Sequence, residues 1–155
     1  ATFWEFYHTT DNPTGLTTTI GGSITGTQLS GQLNELFVYL DGPPSGSDTT
    51  EYQYRKIHVK NASTVTLTGV RAWVDAVEHS EQIAIGIESG NGQFTTGTTA
   101  PAKVEFFQPN TYTGGLNIDT LATTQSTGIW IRQTLSGINE PDPYATLRVN
   151  VGGLK

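Results

Sequence analysis

At 155 residues the chain has the length of one domain, enough to bury roughly 70% of its unfolded surface. A net charge of −6, with only 14% charged residues, excludes a phosphate-binding surface built on clustered Lys and Arg, so nucleic acid is not an expected partner. The absence of Cys excludes disulfides, thiolate chemistry and Cys-ligated metal, and no apolar run approaches the ~18 residues of a membrane span.

Ala1 fits removal of an initiator Met and removal of a secretory leader equally. The first segment, Ala1 to Leu40, opens with Phe3-Trp4-Glu5-Phe6-Tyr7, the densest aromatic cluster of the chain. On a strand Phe3 takes one face and Trp4 and Phe6 the other, so both faces are apolar. Such a segment is either the first buried strand or an arm laid on a neighbouring chain. Aromatics of this kind anchor interface cores, so Phe3, Trp4, Phe6 and Tyr7 are the candidate interface residues and residues 1–30 the candidate arm. On the arm reading, trimming Ala1–Thr10 leaves a folded domain that associates more weakly.

A Thr/Gly-rich run follows from Thr9 to Ser30, in which Thr17–Ile20 reads as a strand. Leu33–Leu40 reads as another, buried on both faces. Asp41–Thr50, in which Gly42, Pro43, Pro44 and Gly46 forbid regular pairing, is a loop. Three runs of period two come next: Tyr54–Val59, Val70–Val77 and Ile83–Ile87. Ile57 and Val59 share a face opposite Lys56, His58 and Lys60. Short polar breaks separate the runs, which predicts a three-stranded meander at the centre of the fold.

Ser89–Gly92 is a turn, Thr95–Pro101 a polar loop, and Val104–Phe107 a short strand ended by Pro109. Asn110–Gln125 reads as irregular, with a turn of helix near Thr120. Ile129–Arg132 begins a strong strand, Ser136–Pro143 is a loop, and Leu147–Val151 is a closing strand. No amphipathic helical period of useful length occurs. The expected fold is therefore all-β: one antiparallel β-sandwich or jelly roll of about eight strands spanning 1–155, with an extended N-terminal segment.

The residues that carry chemistry are sparse. His8, His58 and His79 are scattered and read as surface residues, and no nucleophile, metal or hydrolase motif accompanies them. Glu78 and Glu81 flank a turn and read as solvated charges. The chain is expected to be no enzyme, to need no cofactor and to hold no metal. Asp41…Asp48…Glu51 and Asn139-Glu140-Pro141-Asp142 are the loops with oxygen ligands enough for a hard cation, but neither matches a known calcium loop. Asn61-Ala62-Ser63 matches the N-glycosylation acceptor pattern, which recurs by chance. Trp73 and Trp130 sit inside strands opposite the aliphatic positions. One is expected in the core, and an exposed one could stack on a sugar ring.

The run Tyr54–Asn61, then Leu67-Thr68-Gly69-Val70 and Trp73-Val74, resembles virion-associated proteins of tailed bacteriophages. Tyr7–Asp11 and Leu16–Gly22 add to it. The whole resembles head-decoration (cement) proteins, small β-rich subunits that clamp the outside of a capsid. The likeness covers the first half of the chain; the second half matches in style alone. It implies a place on the capsid exterior, homo-oligomers (commonly trimers) and contact with the major capsid protein, and it brings no catalytic residues. A carbohydrate- or receptor-binding β-sandwich, from a phage tail or a secreted protein, is the alternative.

Overall fold

The computed structural model describes residues 3–9, 21–29, 50–76, 83–88, 100–136 and 147–154. Among them are eight strands: β1 (Trp4–Thr9), β2 (Ile24–Gln28), β3 (Thr50–Asn61), β4 (Leu67–Ala76), β5 (Ile83–Glu88), β6 (Leu116–Leu121), β7 (Ser126–Ser136) and β8 (Leu147–Leu154). They form two antiparallel sheets that pack as a sandwich, one ordered β2-β1-β3-β7-β5 and the other β6-β4-β8. The all-β expectation holds. The predicted strands at Thr17–Ile20 and Leu33–Leu40, the turn Ser89–Gly92, and most of the loops 41–50, 95–101 and 136–143 lie outside the described residues.

The core follows from the period-two pattern. On β3, Ile57 and Val59 point into the sandwich, joined by Ile129 and Ile131 of β7 and Ile83 and Ile85 of β5. The facing sheet contributes Ala72 and Val74. None of these side chains is more than 7% exposed. Each large aliphatic group so buried contributes about 1.5–3 kcal/mol. A smaller cluster of Leu67, Val70 and Leu121 extends the core at one end. Trp4 packs against both clusters and Phe6 against the first.

The meander is not formed. The three predicted runs do lie on β3, β4 and β5, but β3 is flanked by β1 and β7, β4 belongs to the other sheet, and β5 pairs with β7. The cause is visible just after β3. Fully buried Asn61 donates from Nδ2 to Val65 O and Leu121 O, both at 2.9 Å. Its Oδ1 accepts from Ser63 N at 2.9 Å and Ser63 Oγ at 2.6 Å. An Asn side chain that stands in for backbone partners turns the chain sharply, and here it carries the chain across to the facing sheet. Alternation alone reports which face is apolar and is blind to which sheet a strand joins.

Other boundaries shift as well. Val104–Phe107 forms no strand; only Phe107 bridges Ile85, through reciprocal bonds of 2.8 and 2.9 Å. Lys103, at φ 64, takes a left-handed conformation that breaks the extended run before it starts. Thr120, expected near a helical turn, lies on β6, and β2 emerges from the Thr/Gly run. β4 carries register shifts between Leu67 and Arg71. Gly69 at φ +57 supplies the positive angle such a bulge requires.

Candidate functional site

The outer face of the five-stranded sheet is polar, yet buried. Antiparallel register sets Lys56 opposite Trp130 and His58 opposite Gly128, and β5 adds Glu88 opposite Gly128. Lys56 is fully buried, and its Nζ lies 2.7 Å from Glu88 Oε1 and donates to Gly22 O at 2.7 Å. Trp130, also fully buried, donates from Nε1 to the same Glu88 oxygen at 3.0 Å. A Cβ at position 128 would come within 2.4 Å of Lys56 Cε, so only glycine leaves room for the lysine stem. The cluster ties β3, β7, β5 and the turn at Gly22 together. Such a buried pair contributes little net stability over apolar groups, but losing one partner strands a charge.

This placement corrects the reading of His58 as a surface residue. It is 3% exposed, with Nδ1 3.1 Å from Ser126 Oγ. His8 is half-buried, and His79 lies outside the described residues. Trp130 is fully buried, but on the outer face of its sheet and outside the aliphatic clusters, while Trp73 is half-buried.

Further along the same face, Arg132 lies near two rings, with Cζ 5.5 Å from the Tyr52 centroid and 5.3 Å from that of Phe106. Phe106 meets buried Tyr54 edge-on at 5.4 Å. Burial pushes the Tyr54 phenol up from its ordinary range; nearby Arg132 partly opposes the rise and Tyr52 adds to it.

The outer face of the three-stranded sheet carries a second aromatic group. Trp73 meets Tyr112 edge-on at 5.8 Å. The ring of Trp73 lies over Gly152, where a Cβ would sit 3.1 Å from Cη2. Arg71 Cζ stands 5.3 Å over the Tyr112 ring, and its Nη1 donates to Thr113 O at 2.8 Å. Tyr112 in turn donates to Gly69 O at 2.9 Å.

The N-terminal aromatics divide. Trp4 and Phe6 face the core, while Phe3 is exposed and its carbonyl accepts from Ala62 N at 2.8 Å. Tyr7 faces outward, donates its hydroxyl to Glu5 Oε2, and has Lys60 Nζ 5.8 Å over its ring. The hydrogen bond to Glu5 raises the Tyr7 phenol, with desolvation and the carboxylate charge acting the same way. β1 as a whole is paired on both sides, with β2 and β3.

An open groove of about 530 Å³ runs along the side of the sandwich, lined by Ile87, Val104, Phe107 and Leu116 with Lys103, Glu105 and Asn117. Glu105 is the one carboxylate among its described lining residues. Among the described residues no cluster of three or more His, Cys, Asp or Glu could hold a metal. The candidate cation loops lie outside those residues, except Glu51, which is on β3. Asn61 of the glycosylation pattern is fully buried with its amide engaged, so the folded chain does not present it.

Sequence reasoning missed the Lys56–Glu88–Trp130 cluster and the Arg132 stack. A signal was there: in strands whose alternate positions are aliphatic, Lys56, Trp130 and Arg132 share the opposite face with glycines beside them. Comparison of the chain with protein-family models, with curated proteins and with solved structures finds no match to any of the three.

Proposed function

We propose that the chain is a non-catalytic structural subunit of a virion, decorating the capsid exterior by binding the major capsid protein and its own copies. One observation carries the reading: polar groups on the central strands are spent on internal contacts, while large apolar side chains remain at the surface. Lys56, Glu88, His58 and Asn61 all serve the fold. Phe3, Tyr52, Val65, Phe107 and Leu154 are 38%, 43%, 41%, 50% and 61% exposed. Exposed aromatic and aliphatic groups on or beside the strands are what a protein–protein interface uses as anchors. The phage-protein resemblance supplies the setting, and the low charge suits a subunit packed among others.

Sedimentation velocity across a concentration series tests the self-association. A defined oligomer, with a trimer expected, supports the reading; a monomer at all concentrations removes the homo-oligomer from it. The Trp73–Tyr112–Arg71 group favours the carbohydrate-binding alternative, because it sets a half-buried tryptophan beside a tyrosine and an arginine on the outer face of a sheet. Glycan binding abolished by Trp73→Ala with the fold intact would move the assignment there.

A further inference from the structure

The geometry points to Arg132 as a carboxylate receptor, the charged anchor of a protein interface, in which the guanidinium beside Tyr52 and Phe106 receives an acidic side chain of a partner subunit. This rests on the reading of the chain as a subunit-binding module and names the chemistry of one contact. Three observations lead to it. First, two rings approach the guanidinium, with Cζ 5.5 Å from the Tyr52 centroid and 5.3 Å from that of Phe106. Second, Nε is buried without a hydrogen-bond partner, and no ion pair or hydrogen bond to the Arg132 guanidinium occurs among the described residues. Third, the site keeps an opening: Arg132 and Phe106 are half-buried and Tyr52 is 43% exposed.

The contrast with the chain's other cations is informative. Lys56 has Glu88 and Gly22 O, and Arg71 has Thr113 O. A cation held among rings and short of hydrogen-bond acceptors is the kind of site that a desolvated anion completes. With Nε turned inward, the Nη1/Nη2 edge is the side of the fork left for a bidentate contact, which a carboxylate matches. A polyphosphate is disfavoured by the net charge of −6, whereas a single glutamate or aspartate on a subunit surface is not. The rings fix the guanidinium before docking, so little side-chain freedom is lost on binding. Arg and Tyr are also among the residues on which interface energy concentrates.

The test uses the full chain and N-acetyl-glutamate N-methylamide as the probe, with the glutamine analogue and inorganic phosphate as separate arms at constant ionic strength. The Arg Nε–Hε resonances are followed by ¹⁵N NMR. The expected result is a saturable shift of Arg132 with the glutamate compound, absent with the glutamine analogue, while Arg55 and Arg71 stay still. Arg132→Lys should bind the probe at least 10-fold more weakly, and Tyr52→Leu should weaken it with Arg132 retained. Equal shifts at all arginines, saturation by phosphate alone, or full binding by Arg132→Gln would overturn the proposal. If capsid or self-association proceeds undiminished in a folded Arg132→Gln variant, this contact is wrong while the subunit reading stands. If Arg132 takes the probe but no capsid binds, the receptor stands and the partner is another protein.

Discussion

The outer faces of the two sheets are built from the same kinds of residue and behave oppositely. On the five-stranded sheet, Lys56 and Trp130 are fully buried and share one carboxylate oxygen of Glu88. On the three-stranded sheet, Arg71 and Trp73 are half-buried, and Arg71 reaches the backbone carbonyls of Tyr112 and Thr113 and the Tyr112 ring, with no carboxylate against it among the described residues. A cation and a tryptophan on alternating strand positions can therefore be either an internal fastening or a surface group. Cover decides which, and a charge under cover demands a partner that a surface charge does not. The first face holds strands in register at Lys56 and leaves Arg132 and Tyr52 partly open at its far end; the second keeps its cation and tryptophan half-buried.

The largest effect expected comes from removing Ala1–Thr10. β1 is hydrogen-bonded to β2 and β3, and Trp4 and Phe6 lie on the core, so its loss strips one side of β3 and much apolar packing. Loss of the cooperative unfolding transition by circular dichroism is predicted, in place of the folded domain that the arm reading implies. A truncated chain with an unchanged transition would show that the five-stranded sheet does not depend on its N-terminal strand.

Glu88→Ala comes next. It leaves Lys56 charged and buried and the Trp130 N–H without its acceptor, at a cost of about 3–5 kcal/mol, or a Tm lower by roughly 10 °C. The double change Lys56→Met with Glu88→Leu should recover most of that loss. A single Glu88→Ala within 1 kcal/mol of the parent would mean that the two faces do not differ as described. Asn61→Ala should cost about 1–3 kcal/mol in urea unfolding, because Leu121 O loses its side-chain donor and Val65 O one of two.

Trp73→Ala sharpens the comparison from the other side. A half-buried tryptophan should cost less than the ~3–5 kcal/mol of a fully buried one such as Trp130, so roughly 1–2 kcal/mol is expected. Equal losses at the two positions would contradict the distinction.

The smallest effect is in pH. Tyr54 and Tyr7 both have phenols raised in the folded state. The unfolded chain then gives up these protons first, so their contribution is complete below about pH 10 and declines as pH rises beyond it. Tyr54→Phe should flatten that decline in alkaline unfolding experiments; an identical slope would remove Tyr54 as its source.

The sequence disclosed faces better than neighbours. The alternation of Ile57, Val59, Ile129 and Ile131 announced the core directly, because burial on one face imposes period two. What it could not announce was that Asn61 turns the chain into the other sheet, since that depends in part on a contact with Leu121, sixty residues further on. β2 was hidden because Thr, Gly and Gln at an exposed edge carry no apolar signal. Lys56 was legible as a strand residue but not as a buried one, because its cover and its partner Glu88 come from elsewhere in the chain.

The most direct test of the proposed function is co-sedimentation of the purified chain with phage capsid shells prepared without this subunit. The account predicts saturable binding to a fixed number of symmetric sites and shells that withstand higher temperature. A chain that stays in the supernatant at every concentration, with shell stability unchanged, would contradict it.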